Sequence, residues 1–378
     1  MTGVLERRRD LLRMMRDLTL RNGFFTVTDL AAAANIPRST AQDWINRLIS
    51  ERCIVLREEQ RGRSPARYMT TSAMVSSSCK RIFTTVDGNE VRIFHECSSS
   101  GCASFCAYHH RLAKGAIREA ERDGMLLTEK ATLGNFQTEI GLYPSSAVGI
   151  AGVRKEDGFI IQRIRCIGGP AYSLTDMMAC AEGVCSVNVA KNGRIVEGEV
   201  KTRALTHLLI GVDDTDSQEG GATFALALGL LEILGKLEGV IPIAHHVVML
   251  KPDFQDCTAG NSCSFIEMAV EPDLTGQVIQ NALRIIEDGT LSPDWGVAVR
   301  EGFLIPETLR QFSSRVRKEI VTMDETIACA KESGIQLFGG RGRIGALAGL
   351  GFLDADACAM LNPGNVLRIQ DQQVRENL

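Results

Sequence analysis

Leu208-Leu209-Ile210-Gly211-Val212-Asp213-Asp214-Thr215-Asp216-Ser217 reads as a buried strand that ends on three carboxylates. The apolar run is short and uninterrupted, as a buried strand requires. Gly220-Gly221 follow, and Thr223 to about Leu237 reads as a helix. Carboxylates at a strand's carboxyl end hold a hard cation through oxygen, while free N–H groups and the dipole at a helix start accept a phosphate. Glycines between them let the backbone approach the ligand closely. The stretch therefore predicts a phosphate and magnesium site, with Asp213, Asp214 and Asp216 toward the metal and Gly220 and Gly221 toward the phosphate, and an acidic turn without function is its rival on chemistry alone. Neither a Walker A loop nor a dinucleotide fingerprint occurs, so this is not a standard nucleotide fold.

The opposite end of the chain has a different character. Residues 1–70 hold thirteen Arg against eight Asp or Glu, a balance of +5 in a chain of net charge -4. Apolar residues recur at helical spacing from Leu5 to Leu20 and stop before Asn22-Gly23. Leu30 to Ala34 is compact helix material, and after Asn35-Ile36-Pro37 the pair Ser39 and Gln42 predicts a capping box. The third helix buries Ala41, Trp44, Ile45 and Leu48 and turns Arg38, Thr40, Gln42, Asn46 and Arg47 outward. Ile54-Val55-Leu56, an Arg-Gly turn with Arg61 and Arg63, and Ala66 to Met69 then read as a two-stranded wing. Helices joined by so short a turn fit a major groove, and wing arginines meet phosphates. The pattern resembles the winged helix-turn-helix of archaeal and bacterial transcription regulators.

Between these ends the signals are weaker. Val91 to Phe94 and Phe159 to Arg165 read as strands, Leu174 to Val184 as a short helix, and Ser186 to Val200 as a hairpin turning at Asn192-Gly193. Of twelve cysteines, Cys97, Cys102 and Cys106 crowd within ten residues. That spacing suits an iron-sulfur cluster or zinc, with burial as small thiols an equal alternative.

Gly211 to Ser217, with Gly220 and Thr223, resembles the opening motif of the archaeal tRNA-isoleucine agmatinylcytidine synthetase family. Two later stretches agree in the same order. Lys251-Pro252-Asp253-Phe254 with Thr258-Ala259-Gly260-Asn261 is similar to its Asn-Pro-Asn…Thr-Arg-Gly-Asn segment, and Gly340-Arg341-Gly342-Arg343-Ile344-Gly345-Ala346-Leu347 to its Arg-Gly-x-Ile-Gly-Ala-Leu segment. The resemblance covers roughly His207 to Leu353. It implies ATP and magnesium at Asp213, Asp214 and Asp216, a phosphorylated threonine at Thr223, and Arg341 near phosphate. Thr258, Gly260, Asn261 and Gly342 fall within its cofactor-binding stretches. Lys251 stands where the family has Asn, and Ala259 where it has Arg. The family's C-terminal oligonucleotide-binding fold and zinc ribbon are not expected in the sequence up to Leu378. Gly168-Gly169, Ala181-Glu182-Gly183 and Ile305-Pro306 also resemble the methanogenesis marker eleven family, which implies a methanogenic archaeon.

The expected fold is α/β and multidomain. A winged helix-turn-helix spans 1–71, a Cys-rich mixed α+β region 72–203, and an α/β domain resembling the kinase-like and ferredoxin-like parts of the synthetase 204–378. No apolar run is long enough for a bilayer, and Arg7-Arg8-Arg9 leads into no signal-like core, so a cytoplasmic protein is expected. The favoured function is a DNA-binding transcription regulator, a homodimer on double-stranded DNA, with a nucleotide-sensing C-terminal part. The alternative is an ATP-dependent enzyme modifying RNA or a small molecule at the Asp-Asp-Thr-Asp motif.

Overall fold

A computed structural model describes residues 2–60, 62, 64–73, 78–252 and 260–362. Arg61, Arg63 and Thr258, all expected site residues, lie outside them. The chain divides into two compact units, Met1–Lys80 and Arg81–Leu378.

The first unit opens with α1 (Thr2–Asn22), whose Leu11 and Met15 are fully buried. Gly23 ends it in a left-handed conformation, its N–H donating to Thr19 O at 2.8 Å. The next helix, α2 (Val27–Ala34), starts on a reciprocal cap in which Asp29 N–H donates to Thr26 Oγ1 and Thr26 N–H to Asp29 Oδ2. The box expected at Ser39 does not form. Pro37 is the N-cap of α3 (Arg38–Ser50) with no side-chain hydrogen bond, so Ser39 falls inside the first turn. Proline's fixed φ enters the helix without needing the hydroxyl. Ala41, Ile45 and Leu48 are buried as their spacing predicts, while Arg38, Asn46 and Arg47 are exposed. β1 (Ile54–Glu58) and β2 (Arg67–Thr70) pair antiparallel, Ile54 opposite Thr70. Three helices and a two-stranded ribbon thus follow in the expected order.

The second unit is one mixed α/β sheet with helices against it. Its opening strands β3 (Cys79–Asp87) and β4 (Glu90–Cys97) lead to α4 (Ser100–Leu112), then β5 (Ile117–Asp123) and β6 (Leu126–Thr132). Next come β7 (Gly134–Asn135), β8 (Val148–Glu156), β9 (Phe159–Cys166), α5 (Gly169–Asp176) and β10 (Val184–Asn192). The helix expected from Leu174 begins earlier, at Gly169. The hairpin turns at Asn192-Gly193, with Gly193 at φ +62°.

The strand after that turn, β11 (Ile195–Asp213), organises everything else and runs through the expected 203/204 boundary. Its first half pairs with β9 and β10, Ala204 and Leu205 pair parallel with β3, and Thr206 onward pairs with the C-terminal strands. The remaining elements are α6 (Thr223–Leu234), β12 (Val240–Met249), β13 (Ser262–Val270), α7 (Thr275–Gly289), β14 (Gly296–Glu301), α8 (Glu307–Val316), α9 (Met323–Glu332), β15 (Gln336–Gly339), α10 (Arg343–Leu350) and α11 (Ala357–Leu361). Strand order here is β12-β13-β11-β14-β15, every pair antiparallel.

Side chains alternate along β11 with period two. Leu208, Ile210 and Val212 enter a core with α6 and α7, whereas Leu209 enters one with α8 and α10. Both faces are covered, which is why the strand reads as a continuous apolar run. Asp213 shares the α10 side with Leu209 and Gly211. Among the described residues, no helix is long and apolar enough to cross a membrane.

Buried charge also holds this unit. Glu129 is fully buried, with His110 Nδ1 2.6 Å and His95 Nε2 3.4 Å from its oxygens. Burial alone raises a carboxyl, but the two histidines outweigh it and hold Glu129 at about 2. Its folded value lies below the unfolded value of about 4.3. The stabilisation is therefore present above the unfolded value and lost as pH falls through it toward about 2. Glu129→Gln is expected to flatten the acid limb of the stability curve, measured by thermal unfolding across pH. An acid limb as steep as in the unsubstituted protein would remove Glu129 from it.

Candidate active site

Strand β11 delivers Asp213 between β13 and β14, where Val212 faces Ser264 and Asp213 faces Gly296. The glycines of the Gly-Arg-Gly-Arg-Ile-Gly stretch explain how α10 comes so near. A Cβ on Gly345 would overlap the Asp213 carboxylate, and one on Gly211 would overlap Ala346 O. The helix start therefore lies directly on the strand end. Asp213 is 7% exposed. Burial first, then the charges of Asp214 and Asp216, push its carboxyl well above the usual carboxylate range.

Asp214 turns the chain in a left-handed conformation, φ +54°, which Asp tolerates better than most residues. Asp216 is then tied to the start of α6, because Thr223 Oγ1 donates to Asp216 Oδ1 at 3.0 Å. The same hydroxyl oxygen accepts from Thr215 N–H at 3.3 Å and lies 3.1 Å from Thr215 Oγ1. Ser217 and Gly220 exchange backbone hydrogen bonds of 2.9 and 3.1 Å, closing a tight turn. Gly220 and Gly221 supply the positive φ that this turn needs, +151° and +88°.

Asp213, Asp214, Asp216, Gly260, Asn261 and Arg341 line one cavity of about 200 Å³. Three widely separated stretches of sequence thus converge. Thr223, Gly220, Gly221 and Gly342 are not among its lining residues. Thr223 is 6% exposed and holds Asp216, while Gly342 packs on the Asp213 backbone. Asn261 Nδ2 donates to Lys251 O at 3.0 Å, and Leu250 N–H donates to Asn261 O at 2.8 Å. These bonds fix both ends of the stretch between them.

Sequence reasoning did not single out Ser262, Ser292, Asp294 or Glu319, which line the same cavity. Ser262 opens β13, and the other three come from irregular segments with no recognisable spacing. Among the described lining residues, five carboxylates (Asp213, Asp214, Asp216, Asp294 and Glu319) face two cations, Lys251 and Arg341. A cavity so negative repels a polyphosphate unless a cation intervenes. Val316, Ile320 and Val321 form an apolar wall on one side.

Among the described residues, no group of three or more His, Cys, Asp or Glu is arranged to hold a metal ion. That weighs differently on the two expected metals. Magnesium commonly takes one or two carboxylates, with waters and substrate phosphates completing the shell, so it needs no all-protein cage. Buried Asp213, exposed Asp214 and half-buried Asp216, whose charges repel one another, fit such an ion. A cluster or structural zinc needs its thiolates gathered. Cys97 is buried at the end of β4, and Cys102 and Cys106, one turn apart on α4, pack half-buried against the same apolar core. Among the described residues these three thiols do not come together in a metal-holding group, so the buried-thiol alternative describes their surroundings.

In the first unit, Gln42 Nε2 donates to Asn46 Oδ1 at 2.9 Å and Arg47 Nε to Glu51 Oε1 at 3.1 Å. Thr40 is half-buried and Arg38 exposed. Arg57 donates to Gly23 O at 2.7 Å and Arg67 to Glu58 at 2.9 Å, so both brace the ribbon.

No family model matches the chain. An uncharacterized protein of Methanocaldococcus jannaschii is 27% identical over 301 residues, 75% of this chain and 97% of that protein. The tRNA-isoleucine 2-agmatinylcytidine synthetase of Pyrococcus horikoshii is 32% identical over 152 residues, 38% of this chain and 35% of that enzyme. Its counterpart from Acidilobus saccharovorans is 30% identical over 166 residues, 42% of this chain and 35% of the enzyme. The chain thus spans about a third of the length of these curated synthetases. The crystal structure of such a synthetase with tRNA and ATP aligns with a TM-score of 0.37 at 25% identity, covering 40% of this chain and 37% of that one.

These findings correct the favoured reading. The relatives with a stated activity are tRNA-modifying enzymes, not DNA-binding regulators, so transcription regulation and double-stranded DNA as partner are withdrawn, along with the homodimer argued from paired DNA half-sites. Over part of its length, this chain is similar to a tRNA agmatinylcytidine synthetase.

Proposed function

We propose that the protein is an ATP-dependent RNA-modifying enzyme whose nucleotide lies in the cavity at the end of β11. The observation that carries this reading is the convergence of Asp213, Asp214, Asp216, Asn261 and Arg341 on one cavity. Magnesium, held by Asp213 and Asp214 with help from Asp216, would bridge the carboxylates to the triphosphate and neutralise charge during transfer. Arg341 and Lys251 face the same space as anion partners, and their cationic side chains would orient phosphate oxygens. Thr223 acts as a positioning residue, since its hydroxyl holds the Asp216 carboxylate.

The first unit, read as a winged helix, would engage the RNA backbone through exposed Arg38, Asn46 and Arg47 of α3, with Thr40 and Gln42 beside them. Its balance of +5 suits a polyanion and sets no sequence preference.

Calorimetric titration with ATP, with and without magnesium, tests the site. Binding that requires magnesium is expected. Equal affinity without the metal, or no binding in either condition, would contradict the proposal.

A further inference from the structure

A second cleft, of about 370 Å³, lies on the other half of the sheet, far along β11 from the acidic motif. Arg163 and Arg165 stand two apart on β9, so they project from the same face, opposite the core face that carries Ile160, Ile164 and Cys166. Glu197 of β11 pairs with Arg165 in register and is the cleft's only carboxylate among the described lining residues. Phe136 and Thr138, on the segment after β7, close the opposite side. That segment is anchored by Phe136 N–H, which donates at 2.8 Å to Ala151 O, at the bulge where the β8–β9 register shifts. Bulges recur beside functional sites because they re-aim the residues around them.

The cleft's polar groups are donor-rich and poorly matched. Arg165 Nε lies 3.3 Å from Glu197, but Arg163 Nε lies 3.8 Å away and, though buried, has no hydrogen-bond acceptor. The remaining bonds, Arg163 to Ala151 O at 3.5 Å and Arg165 to Thr138 Oγ1 at 3.4 Å, sit at the long limit for N–H···O. A second carboxylate, Glu199, stands opposite Arg163 on β11 but is engaged by Arg154 Nη1 and Nη2 at 2.6 and 3.0 Å, so the cleft keeps a net positive charge and several unused guanidinium donors. Planar donor forks of this kind match phosphate oxygens. The half-buried Phe136 ring, with Arg118 Cζ 4.8 Å from its centroid, supplies an apolar wall next to that charge. Aromatic surface beside a cationic groove is the combination that holds a nucleotide unit of a single strand.

We propose that this cleft binds a phosphate of the RNA substrate through Arg163 and Arg165, with the adjoining base against Phe136. The inference rests on the RNA-modifying reading and adds where the strand crosses the sheet. The cleft opens on the solvent face of the sheet, which suits a polymer passing over it better than an enclosed small molecule.

The test is titration of unfractionated tRNA across a salt series, using the full chain. Arg163→Gln with Arg165→Gln is expected to weaken binding and to lower the salt slope by about 0.7 for each phosphate no longer neutralised. Glu197→Gln is expected to act in the opposite direction and strengthen binding, since it removes the carboxylate that competes with phosphate. Both variants should keep magnesium-dependent ATP binding, which reports the other site and the fold. An unchanged affinity and slope in the double variant would overturn the proposal, as would weaker binding in Glu197→Gln. AMP binding that the double variant loses while tRNA binding stays intact would also overturn it, assigning the cleft to a free nucleotide. Absence of tRNA binding by the unsubstituted protein at every salt concentration would instead sink the RNA reading, a result seen before any variant is made.

Discussion

Asp213→Asn combined with Asp214→Asn is expected to abolish magnesium-dependent ATP binding while leaving the protein folded and more stable without ligand. Asparagine keeps the shape of each side chain and removes the charge that holds the cation. Losing a metal-bridged interaction of roughly 3 kcal/mol removes about two decades of affinity. The stability gain has the opposite sign for a physical reason. Asp213 is buried against Gly345 and crowded by Asp214 and Asp216, and this environment raises its carboxyl well above the ordinary value. A group so raised contributes stability only while protonated and loses it as pH rises through the folded value, so a neutral side chain removes that penalty at neutral pH. Sites that hold like charges together for function commonly trade stability for it. Calorimetry and thermal unfolding on the same samples check both halves. Loss of ATP binding with a lowered melting temperature would point to misfolding, and retained binding would make the motif structural.

The second large effect is expected far from the cavity. Glu267 of β13 is 4% exposed and accepts from Arg92 Nη1 at 3.3 Å, with His207 Nε2 3.1 Å and His246 Nε2 3.4 Å away. Burial alone would raise this carboxyl, but His207 above all, with His246 and Arg92, holds it far below the carboxylate range. Arg92 of β4 continues to Asp354 Oδ1 at 2.7 Å, and Lys130 of β6 reaches Asp354 Oδ2 at 3.3 Å. The network ties the opening strands of the second unit to its C-terminal strands. Glu267→Ala leaves Arg92 buried with half its partners, and breaking a buried pair in this way costs about 3–5 kcal/mol. Against a total stability of about 5–15 kcal/mol that is a large fraction. Denaturant unfolding should show a lower midpoint. A change of under about 1 kcal/mol would mean that the network is replaceable, as some buried ion pairs are.

Local features were legible in the sequence wherever short-range geometry decides them. The apolar run into Asp213, the helix after the glycine pair, the Asn192-Gly193 hairpin and the alternation of buried residues in α3 all follow from period or turn chemistry. The α3 cap is ambiguous in sequence because Pro37 and Ser39 both suit a helix start, and only the fold selects between them. The length of β11 was illegible because the polar positions in its first half face solvent on one side, which masks continuity with the apolar second half. Asp294 and Glu319 escape sequence reasoning for a related reason. Each sits in an irregular segment, and only the packing of α8, α10 and β14 on β11 brings them to the cavity. Crowded cysteines left two readings open in the sequence, because spacing along a chain does not separate buried thiols from metal ligands, and Cys97, Cys102 and Cys106 pack in or against one apolar core.

The most direct test of the central claim is ATP turnover with magnesium in the presence and absence of unfractionated tRNA, followed by mass analysis of the RNA. An ATP-dependent RNA-modifying enzyme predicts nucleotide consumption that requires both the metal and RNA, lost in the Asp213→Asn, Asp214→Asn variant, with a mass increase on the RNA once the co-substrate is supplied. Nucleotide consumption that is indifferent to RNA, or persists unchanged in that variant, would contradict the account.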